Sequence, residues 1–257
     1  MRSYHLILWL AFLAACTPRN EKRIREAGEI GFTVQQLLPH DPKAFTQGLL
    51  IYQGQLYEST GQDSSWIGVV DIGTGVANRK VVLDKKFFGE GITILNNKVY
   101  QLTWKNKNGF IYSFPSFTKV GEFTYPGEGW GLTSEGTHLI MSNGTEEIVF
   151  LDTLSLKPVK TITVKHQGNP VNNLNELEFA DGYLYANIWQ TDLVARIDLG
   201  SGEVTGFLDL SALTRQARAV NPKADVLNGI AWHPATKTML VTGKYWPYIF
   251  ILKLKDS

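Results

Sequence analysis

The feature of the sequence that most constrains the fold is an internal repeat. Each copy has a small or polar residue followed by Leu or Ile, a turn, an apolar strand, and a hairpin signal related to Asp-x-x-Thr/Ser-Gly. The copies recur at intervals of 40 to 53 residues and begin at Gln47-Gly48-Leu49, Glu90-Gly91-Ile92, Trp130-Gly131-Leu132, Asn175-Glu176-Leu177 and Asn228-Gly229-Ile230. Five repeats of about four short strands each predict an all-β, five-bladed β-propeller, whereas a β-sandwich predicts no such period.

The strands of this propeller are predicted to be short and antiparallel. Beyond about residue 31, alternating runs such as Tyr183-Leu184-Tyr185-Ala186-Asn187 lie between turns rich in Gly, Asn and Asp. One segment, Leu210 to Arg218, is a plausible helix and falls in the longest interval between repeats. We therefore expect one short helical excursion before the last blade.

Composition excludes several classes of protein. The chain has 257 residues, 44% of them hydrophobic, which suits one large globular domain. Its net charge of +1 gives no broad electrostatic surface for nucleic acid, so no nucleic-acid partner is expected. A single Cys excludes a disulfide framework and any multi-Cys metal site. The 7 Trp, 10 Tyr and 13 Phe instead call for an aromatic pocket or extensive aromatic packing.

The amino terminus has the pattern of an export signal. Arg2 precedes an apolar run from Leu6 to Ala15 that is too short to span a bilayer. Cys16 directly follows Leu13-Ala14-Ala15, which resembles the lipobox of bacterial lipoproteins, in which the Cys is acylated. The alternative is a plain signal peptide with an incidental thiol.

This pattern also predicts the domain organisation and the location. We expect a lipoprotein signal peptide at 1–15, a lipidated Cys16 with a polar linker at 16–30, and a single propeller domain at 31–257. The lipid anchor is then the only membrane contact of a periplasmic protein. Thr17, rather than Asp, after the Cys favours the outer membrane.

The repeat places chemically useful side chains around one axis. The first strand of each propeller blade lines the central channel, so residues at the same repeat position converge there. These residues are Gln47, Glu90, Trp130, Asn175 and Asn228. A second set follows the next strands and comprises Trp104, Asn187, Trp189, Lys244 and Trp246. Each Trp taken alone could instead pack between blades, but the set beside Glu90 and Lys244 favours a pocket.

Most catalytic chemistries lack their residues in this chain. The histidines show no metal-ligand spacing, no Gly-x-Ser-x-Gly elbow is present, and the Gly-x-Gly elements at 73–75 and 127–129 are interpreted as turns rather than nucleotide cradles. What remains is an acid–base carboxylate at Glu90, a cation at Lys244, amide groups and tryptophan walls. This set suits proton transfer and oxyanion stabilisation on a small neutral or amide substrate.

These residues carry a resemblance to a known family. The plant-type glutaminyl-peptide cyclotransferases, also found in bacteria, are similar to this chain from about Phe45 to the carboxyl end. The matching motifs, one or two per blade, are Phe45-Thr46-Gln47-Gly48-Leu49, Phe88-Gly89-Glu90-Gly91, Gln101-Leu102-Thr103-Trp104, Gly129-Trp130-Gly131-Leu132-Thr133, Leu174-Asn175-Glu176-Leu177-Glu178, Ala186-Asn187-Ile188-Trp189, Leu227-Asn228-Gly229-Ile230-Ala231 and Val241-Thr242-Gly243-Lys244-Tyr245-Trp246-Pro247.

The resemblance implies a five-bladed propeller that converts the N-terminal glutamine of peptides or proteins to pyroglutamate and releases ammonia. It places the catalytic carboxylate at Glu90. The other implied pocket positions are Phe45, Gln47, Trp104, Trp130, Asn175, Trp189 and Lys244. The resemblance also implies catalysis without a cofactor, because the family is unrelated to the zinc-dependent animal enzymes. A structural metal stays open, and we expect a monomer.

Within this framework, Glu90 is expected to act as both base and acid. Gln47, Asn175 and Lys244 are expected to stabilise the oxyanion, although Lys244 could instead simply pair with Glu90. Two other functions stay open at this point. One is a non-catalytic periplasmic propeller that serves as a binding platform. The other is a hydrolase with calcium or zinc held by Glu90, Asn175 and Asn228. The sequence assigns no role to Glu176 or Glu178, which could lie on the surface or in hairpins.

Overall fold

The structure is a computed structural model that describes residues 28–62 and 64–255. Within these ranges the chain forms five four-stranded antiparallel sheets, a small hairpin and one helix. The prediction of a five-bladed β-propeller is confirmed. The predicted signal peptide at 1–15 and the predicted lipidation site at Cys16 lie outside the described residues.

Four of the blades are each built from consecutive strands. Blade 1 contains β2 (Thr46–Tyr52), β3 (Gln55–Thr60), β4 (Trp66–Val70) and β5 (Ala77–Val82). Blade 2 contains β6 (Gly89–Leu95), β7 (Lys98–Thr103), β8 (Asn108–Ser113) and β9 (Lys119–Thr124). Blade 3 contains β10 (Leu132–Ser134), β11 (His138–Ser142), β12 (Glu147–Asp152) and β13 (Pro158–Thr163). Blade 4 contains β16 (Leu174–Ala180), β17 (Tyr183–Ile188), β18 (Leu193–Ile197) and β19 (Val204–Asp209).

Two smaller elements lie between blades. The hairpin of β14 (Lys165–His166) and β15 (Asn169–Pro170) follows blade 3. Helix α1 (Ser211–Val220) follows blade 4, which confirms the predicted helical excursion before the last blade. The helix buries Leu213, Thr214 and Ala217 against the neighbouring blades.

Blade 5 is completed by the amino-terminal strand. It contains β20 (Leu227–His233), β21 (Thr238–Gly243), β22 (Tyr248–Leu254) and β1 (Phe32–Pro39). β1 pairs antiparallel with β22, from Phe32 opposite Leu254 to Pro39 opposite Tyr248. The two ends of the described chain therefore close the ring. The repeat begins only at Gln47, so it gives no sign of this closure.

A buried ion pair joins the last blade to the first at this seam. His40 directly follows β1, and its Nε2 lies 3.2 Å from Glu58 Oε1 on β3. Its Nδ1 lies 2.8 Å from the carbonyl oxygen of Trp246, so both ring nitrogens face acceptors. Burial lowers the pKa of His40, but the Glu58 carboxylate and the Trp246 carbonyl outweigh it and raise the pKa above 6.5.

The glycines at the repeat starts are explained by close approach of the inner strands. β2, β6, β10, β16 and β20 pack side by side around the axis. A Cβ atom on Gly91 would lie 2.4 Å from the backbone nitrogen of Leu132, and one on Gly131 would lie 2.1 Å from the carbonyl oxygen of Asn175. The ring can therefore be this narrow only because these positions lack a side chain.

Residues 28–30, which the sequence analysis placed in the linker, lie against blade 4. Ile30 is buried, and its N–H donates to the carbonyl oxygen of Phe207 over 2.8 Å. Among the described residues, contacts with the propeller therefore include residues 28–30, which precede the predicted domain boundary at residue 31. In the part of the chain that the structure describes, no helix is long and apolar enough to cross a membrane.

Candidate active site

A pocket of about 290 Å³ opens at the end of the propeller where the inner strands begin. It is lined by Phe45, Gln47, Gln62, Phe88, Glu90, Trp104, Trp130, Asn175, Trp189, Asp225 and Lys244. All eight pocket residues expected from the sequence are in this set. Residues from all five blades, up to 199 positions apart in sequence, are thus brought together.

Local irregularities in the inner strands turn the polar side chains into the pocket. The pairing register shifts between Thr46 and Gly48, between Gly89 and Ile92, and between Leu174 and Leu177. These shifts leave Gln47, Glu90 and Asn175 outside the regular ladder. A β-bulge re-aims a side chain that would otherwise follow the regular alternation between the two faces of the sheet. The bulges therefore explain how strand residues become pocket residues.

Glu90 is a buried carboxylate with an unused acceptor atom. It is 3% exposed, and its Oε2 has no hydrogen-bond partner among the described residues. Burial raises the pKa of Glu90 well above its usual range. The positive charge of Lys244 lowers this pKa, the negative charge of Glu128 raises it, and hydrogen bonding to Gln47 lowers it. Burial outweighs the favourable contacts, so Glu90 holds a proton more readily than a carboxyl group in water does.

The Gln47 side chain is oriented by Asn228. Asn228 Nδ2 donates to Gln47 Oε1 over 3.0 Å and to the carbonyl oxygen of Thr46 over 3.0 Å. Because the amide oxygen of Gln47 is engaged, its amide nitrogen is the group left to face Glu90. Asn228 thus fixes the orientation of Gln47, a pocket residue, but does not itself line the pocket.

Lys244 is buried beside the aromatic wall. It is 5% exposed, and its Nζ lies 4.6 Å from the ring centroid of Phe45. Burial lowers its pKa, while the negative charges of Glu90 and Asp225 raise it. Within residues 28–62 and 64–255 no direct ion pair joins Lys244 to Glu90, so the two act on each other through space.

The backbone of Lys244 is fixed by the segment that follows α1. The Lys244 N–H donates to the Val226 carbonyl oxygen, and the Asp225 N–H donates to the Lys244 carbonyl oxygen. The segment between α1 and β20 thereby positions the backbone of the pocket lysine.

Aromatic side chains form most of the pocket wall. Trp130 and Trp189 meet edge to face with centroids 5.6 Å apart, and Phe88 contacts Trp104 at 5.5 Å. Phe88 also meets Phe45 edge to face at 5.9 Å. These are favourable geometries for aromatic pairs, so the contacts stabilise the wall.

Three pocket residues were not singled out in the sequence. Phe88 stands two positions before Glu90 in a motif that was noted, so its place in that motif was a usable signal. Asp225 lies in the irregular segment after α1, and Gln62 lies in a loop with a φ of 71°. Neither of these two positions belongs to the repeat, so no periodic signal marks them.

Two residues of the second repeated set do not line the pocket. Trp246 is fully buried, and its Nε1 donates to the carbonyl oxygen of Asp225 over 2.9 Å. Asn187 accepts the N–H of Gly229 over 3.0 Å with its Oδ1. Both therefore support the elements around the pocket through packing and hydrogen bonds.

Glu176 and Glu178 lie on the inner strand of blade 4, where Glu176 is buried and Glu178 is partly buried. Glu176 is 1% exposed and accepts the N–H groups of Leu49, over 3.1 Å, and Ile230, over 2.8 Å. It thus ties blade 4 to blades 1 and 5. Burial raises the pKa of Glu178 to about 8. Neither position was predicted, because the sequence favoured only surface or hairpin positions for these two glutamates.

Among the described residues, no three His, Cys, Asp or Glu side chains form a group that could hold a metal ion.

The fold and the pocket define a propeller enzyme with a buried glutamate, a buried lysine and an aromatic wall. The chain belongs to the glutamine cyclotransferase family, whose model matches residues 6–254. It is 39% identical over 224 residues to the glutaminyl-peptide cyclotransferase of Arabidopsis thaliana, covering 85% of this chain and 70% of that protein. The crystal structure of Myxococcus xanthus glutaminyl cyclase is similar, with a TM-score of 0.83 and 35% identity, covering 88% of this chain and 98% of that one. The family resemblance is thereby confirmed.

Proposed function

We propose that this chain is a glutaminyl-peptide cyclotransferase in which the pocket around Glu90 converts the N-terminal glutamine of peptides and proteins to pyroglutamate. The observation that carries the proposal is that Glu90 lines the aromatic pocket while its buried Oε2 has no hydrogen-bond partner among the described residues. Both relatives are named for this activity.

Ring closure requires two proton transfers that one carboxylate can perform. The substrate α-nitrogen forms a bond to the γ-carboxamide carbon, and the bond from that carbon to the amide nitrogen breaks. The attacking nitrogen must lose a proton, and the departing nitrogen must gain one to leave as ammonia. Glu90 accepts the first proton and delivers it to the leaving group. Its raised pKa suits this role, because a carboxylate with a raised pKa is a stronger base than an ordinary carboxylate.

The developing oxyanion is stabilised by groups on the other blades. The Gln47 amide nitrogen and the Lys244 ammonium lie in the pocket as donors, and the Asn175 amide provides a further one. Asn175 Oδ1 is buried and has no partner among the described residues, so it also offers an acceptor for a substrate N–H. Losing one oxyanion donor typically lowers the rate about 10²–10³-fold.

The aromatic wall favours the reactive conformer of the substrate. The amine and the amide belong to the same residue, so the enzyme mainly has to fold the glutamine side chain back and exclude water. Phe45, Trp104, Trp130 and Trp189 enclose the pocket and would contact the aliphatic part of that side chain.

Mass spectrometry of a peptide with N-terminal glutamine tests the activity. We expect the wild type to remove one ammonia from the peptide, with or without a chelator, because the proposed steps use no metal. Glu90→Gln should lower turnover about 10²–10⁴-fold, since it cannot accept a proton. The matched control is Glu122→Gln, which changes an exposed glutamate of the same blade and should keep wild-type turnover.

Three results would each overturn part of the assignment. Full turnover by Glu90→Gln would exclude the proton shuttle. No ammonia loss from a folded wild type would leave a binding propeller, and loss of activity with chelator would indicate a metal-dependent enzyme.

We further propose that the protein is held at a membrane by a lipid on Cys16. β1 begins at Phe32 beside Leu254, where the third strand of blade 5 ends. The pocket lies at the starts of first strands, and third strands end on the opposite face. β1 therefore begins on the face away from the pocket, and a lipid anchor upstream of β1 is compatible with access of periplasmic peptides to the pocket.

Cell fractionation tests the anchor. The wild type should sediment with membranes, and the outer membrane fraction is expected to hold it. Cys16→Ser should release an active enzyme into the soluble fraction. A wild type that is already soluble would exclude the anchor while leaving the cyclase activity unaffected.

A further inference from the structure

One carboxylate near the pocket is not used by the proposed reaction. Glu128 lies in the loop between β9 and β10, within the Gly127-Glu128-Gly129 element that the sequence analysis interpreted as a turn. It is partly buried and does not line the pocket itself. Its Oε2 accepts hydrogen bonds from Trp104 Nε1 over 2.6 Å and from Trp130 Nε1 over 2.9 Å.

The aromatic wall is interrupted between Trp104 and Trp130, and the indoles of these two residues both donate hydrogen bonds to Glu128. Ring contacts connect Phe45, Phe88 and Trp104 on one side, and Trp130 and Trp189 on the other. Within the described ranges no ring contact joins Trp104 to Trp130. The carboxylate of Glu128 closes this gap, and hydrogen bonds to an ionised acceptor are about twice as strong as neutral ones.

The loop holds Glu128 in one place. The Gly129 N–H donates to the Trp104 carbonyl oxygen over 3.2 Å, and the Gly91 N–H, next to Glu90, donates to the Trp130 carbonyl oxygen over 2.7 Å. A Cβ on Gly129 would lie 2.6 Å from Tyr125 Oη, so only glycine fits there. The backbone on both sides of the carboxylate is thus tied to the two tryptophans that it bridges.

We propose that Glu128 is a positioning residue for cyclisation. It holds Trp104 and Trp130 in the wall that folds the substrate glutamine, and it places a negative charge near Glu90. This inference rests on the proposed function. Glu128 acts through the two tryptophans and through its field, and it takes no part in proton transfer.

The charge of Glu128 gives this role a distinct signature. The groups that act on Glu90 are Lys244 beyond β21, Gln47 on β2 and Glu128 before β10, and Glu90 in turn faces Tyr125 after β9. Of these, Glu128 is the negative charge that raises the pKa of Glu90. Replacing it by a neutral side chain therefore lowers that pKa, and Glu90 ionises at lower pH.

Three variants test the inference: Glu128→Gln, Glu128→Ala and the control Glu122→Gln. The measurement is kcat and KM for a peptide with N-terminal glutamine across the pH range. Glu128→Ala loses both bonds to a charged acceptor, so kcat/KM should fall on the order of tenfold to a hundredfold. The wall contacts the substrate before and during ring closure, so most of this loss should appear as a higher KM.

Glu128→Gln separates the role of the charge from that of the shape. Its amide oxygen can still accept an indole N–H, so we expect a smaller rise in KM than for Glu128→Ala. The acid limb of its kcat profile should move to lower pH, because the substrate is the same and only the ionisation of Glu90 changes. A structural defect would reduce the amount of active enzyme without moving this limb.

The inference is overturned if Glu128→Gln keeps the wild-type KM and the wild-type acid limb. This variant also decides the question if Glu128→Ala does not fold. An inactive wild type would instead contradict the proposed function, and the two failures are therefore distinguishable. Glu122→Gln should match the wild type in both readouts, and a shift in this control would contradict a specific effect of Glu128.

Discussion

At the residue scale, the pocket controls the proton affinity of Glu90 by combining burial with two opposite charges. Burial raises the pKa of this carboxylate, and Lys244 prevents it from rising further. A carboxylate in water would be too weak a base for the proton transfers of ring closure. A completely isolated one would remain protonated at neutral pH and could not accept a proton.

Lys244→Gln tests this balance in the direction opposite to Glu128→Gln. Loss of the positive charge raises the pKa of Glu90, so its ionised form appears only at higher pH, and the acid limb of kcat should move upward. The maximal rate should also fall about 10²–10³-fold if the ammonium stabilises the oxyanion. Measured pH profiles decide between the roles, because a lysine that only pairs with Glu90 would shift the limb with little loss of maximal rate.

The sequence predicted the pocket well where its residues belong to the repeat. Glu90 stands at the start of an inner strand, whereas Trp104 and Lys244 each follow the end of the second strand of a blade, and propeller geometry brings these positions together. Asp225 and Gln62 come from irregular segments, for which periodicity carries no information. Glu128 was visible in the sequence, but its partners are indole N–H groups on two different blades, and no spacing rule reports such a contact.

At the element scale, the inner strands have to pack closely against their neighbours, and several of them also have to present a side chain to the pocket. The glycines let neighbouring inner strands touch, and the bulges beside them turn the polar side chains into the pocket. Blade 4 departs from this pattern. There Glu176 replaces the glycine and binds the backbone of two other inner strands. Its contacts explain why the repeat tolerates a large side chain at this one position.

The seam between β1 and β3 contains a second testable ionisation. Breaking a buried ion pair typically costs about 3–5 kcal/mol, so His40→Gln should lower the free energy of unfolding by about that amount. The control is His138→Gln, because the His138–Glu135 pair is partly exposed and should contribute about 1 kcal/mol or less.

The pH dependence of this effect follows from the sign of the pKa shift. The folded pKa of His40 is raised above 6.5, so its stabilisation is fully present below pH 6.5 and is lost as the pH rises through the folded pKa. Denaturant unfolding of wild type and His40→Gln across this range should show a difference that shrinks with increasing pH. A difference that stays constant would exclude the charged imidazole as its source.

At the scale of the whole molecule, the ring is closed by a strand from the opposite end of the described chain. The sequence predicted five blades because each inner strand repeats a motif. It could not predict the closure, because β1 carries no copy of that motif. A strand pattern also does not identify the partner, which here lies more than 200 residues away in β22.

Two neighbouring leucines of β1 test how much this closure contributes. Leu38 is 8% exposed and packs with Leu49, Ala231 and Ile249 between blades 5 and 1, whereas Leu37 is 39% exposed. Leu38→Ala should lower the free energy of unfolding by about 2–5 kcal/mol, since it leaves a cavity in this cluster. Leu37→Ala removes the same atoms from the same strand and should change it by about 0.5 kcal/mol or less.

The closed ring also predicts how the Leu38→Ala protein unfolds. Each inner strand packs against both of its neighbours, so weakening one seam weakens the support of every blade. Unfolding followed by tryptophan fluorescence and by circular dichroism should therefore stay a single coincident transition at a lower denaturant concentration. Separate transitions would mean that blades 1 to 4 stand without the closure, and β1 would then complete blade 5 without holding the ring together.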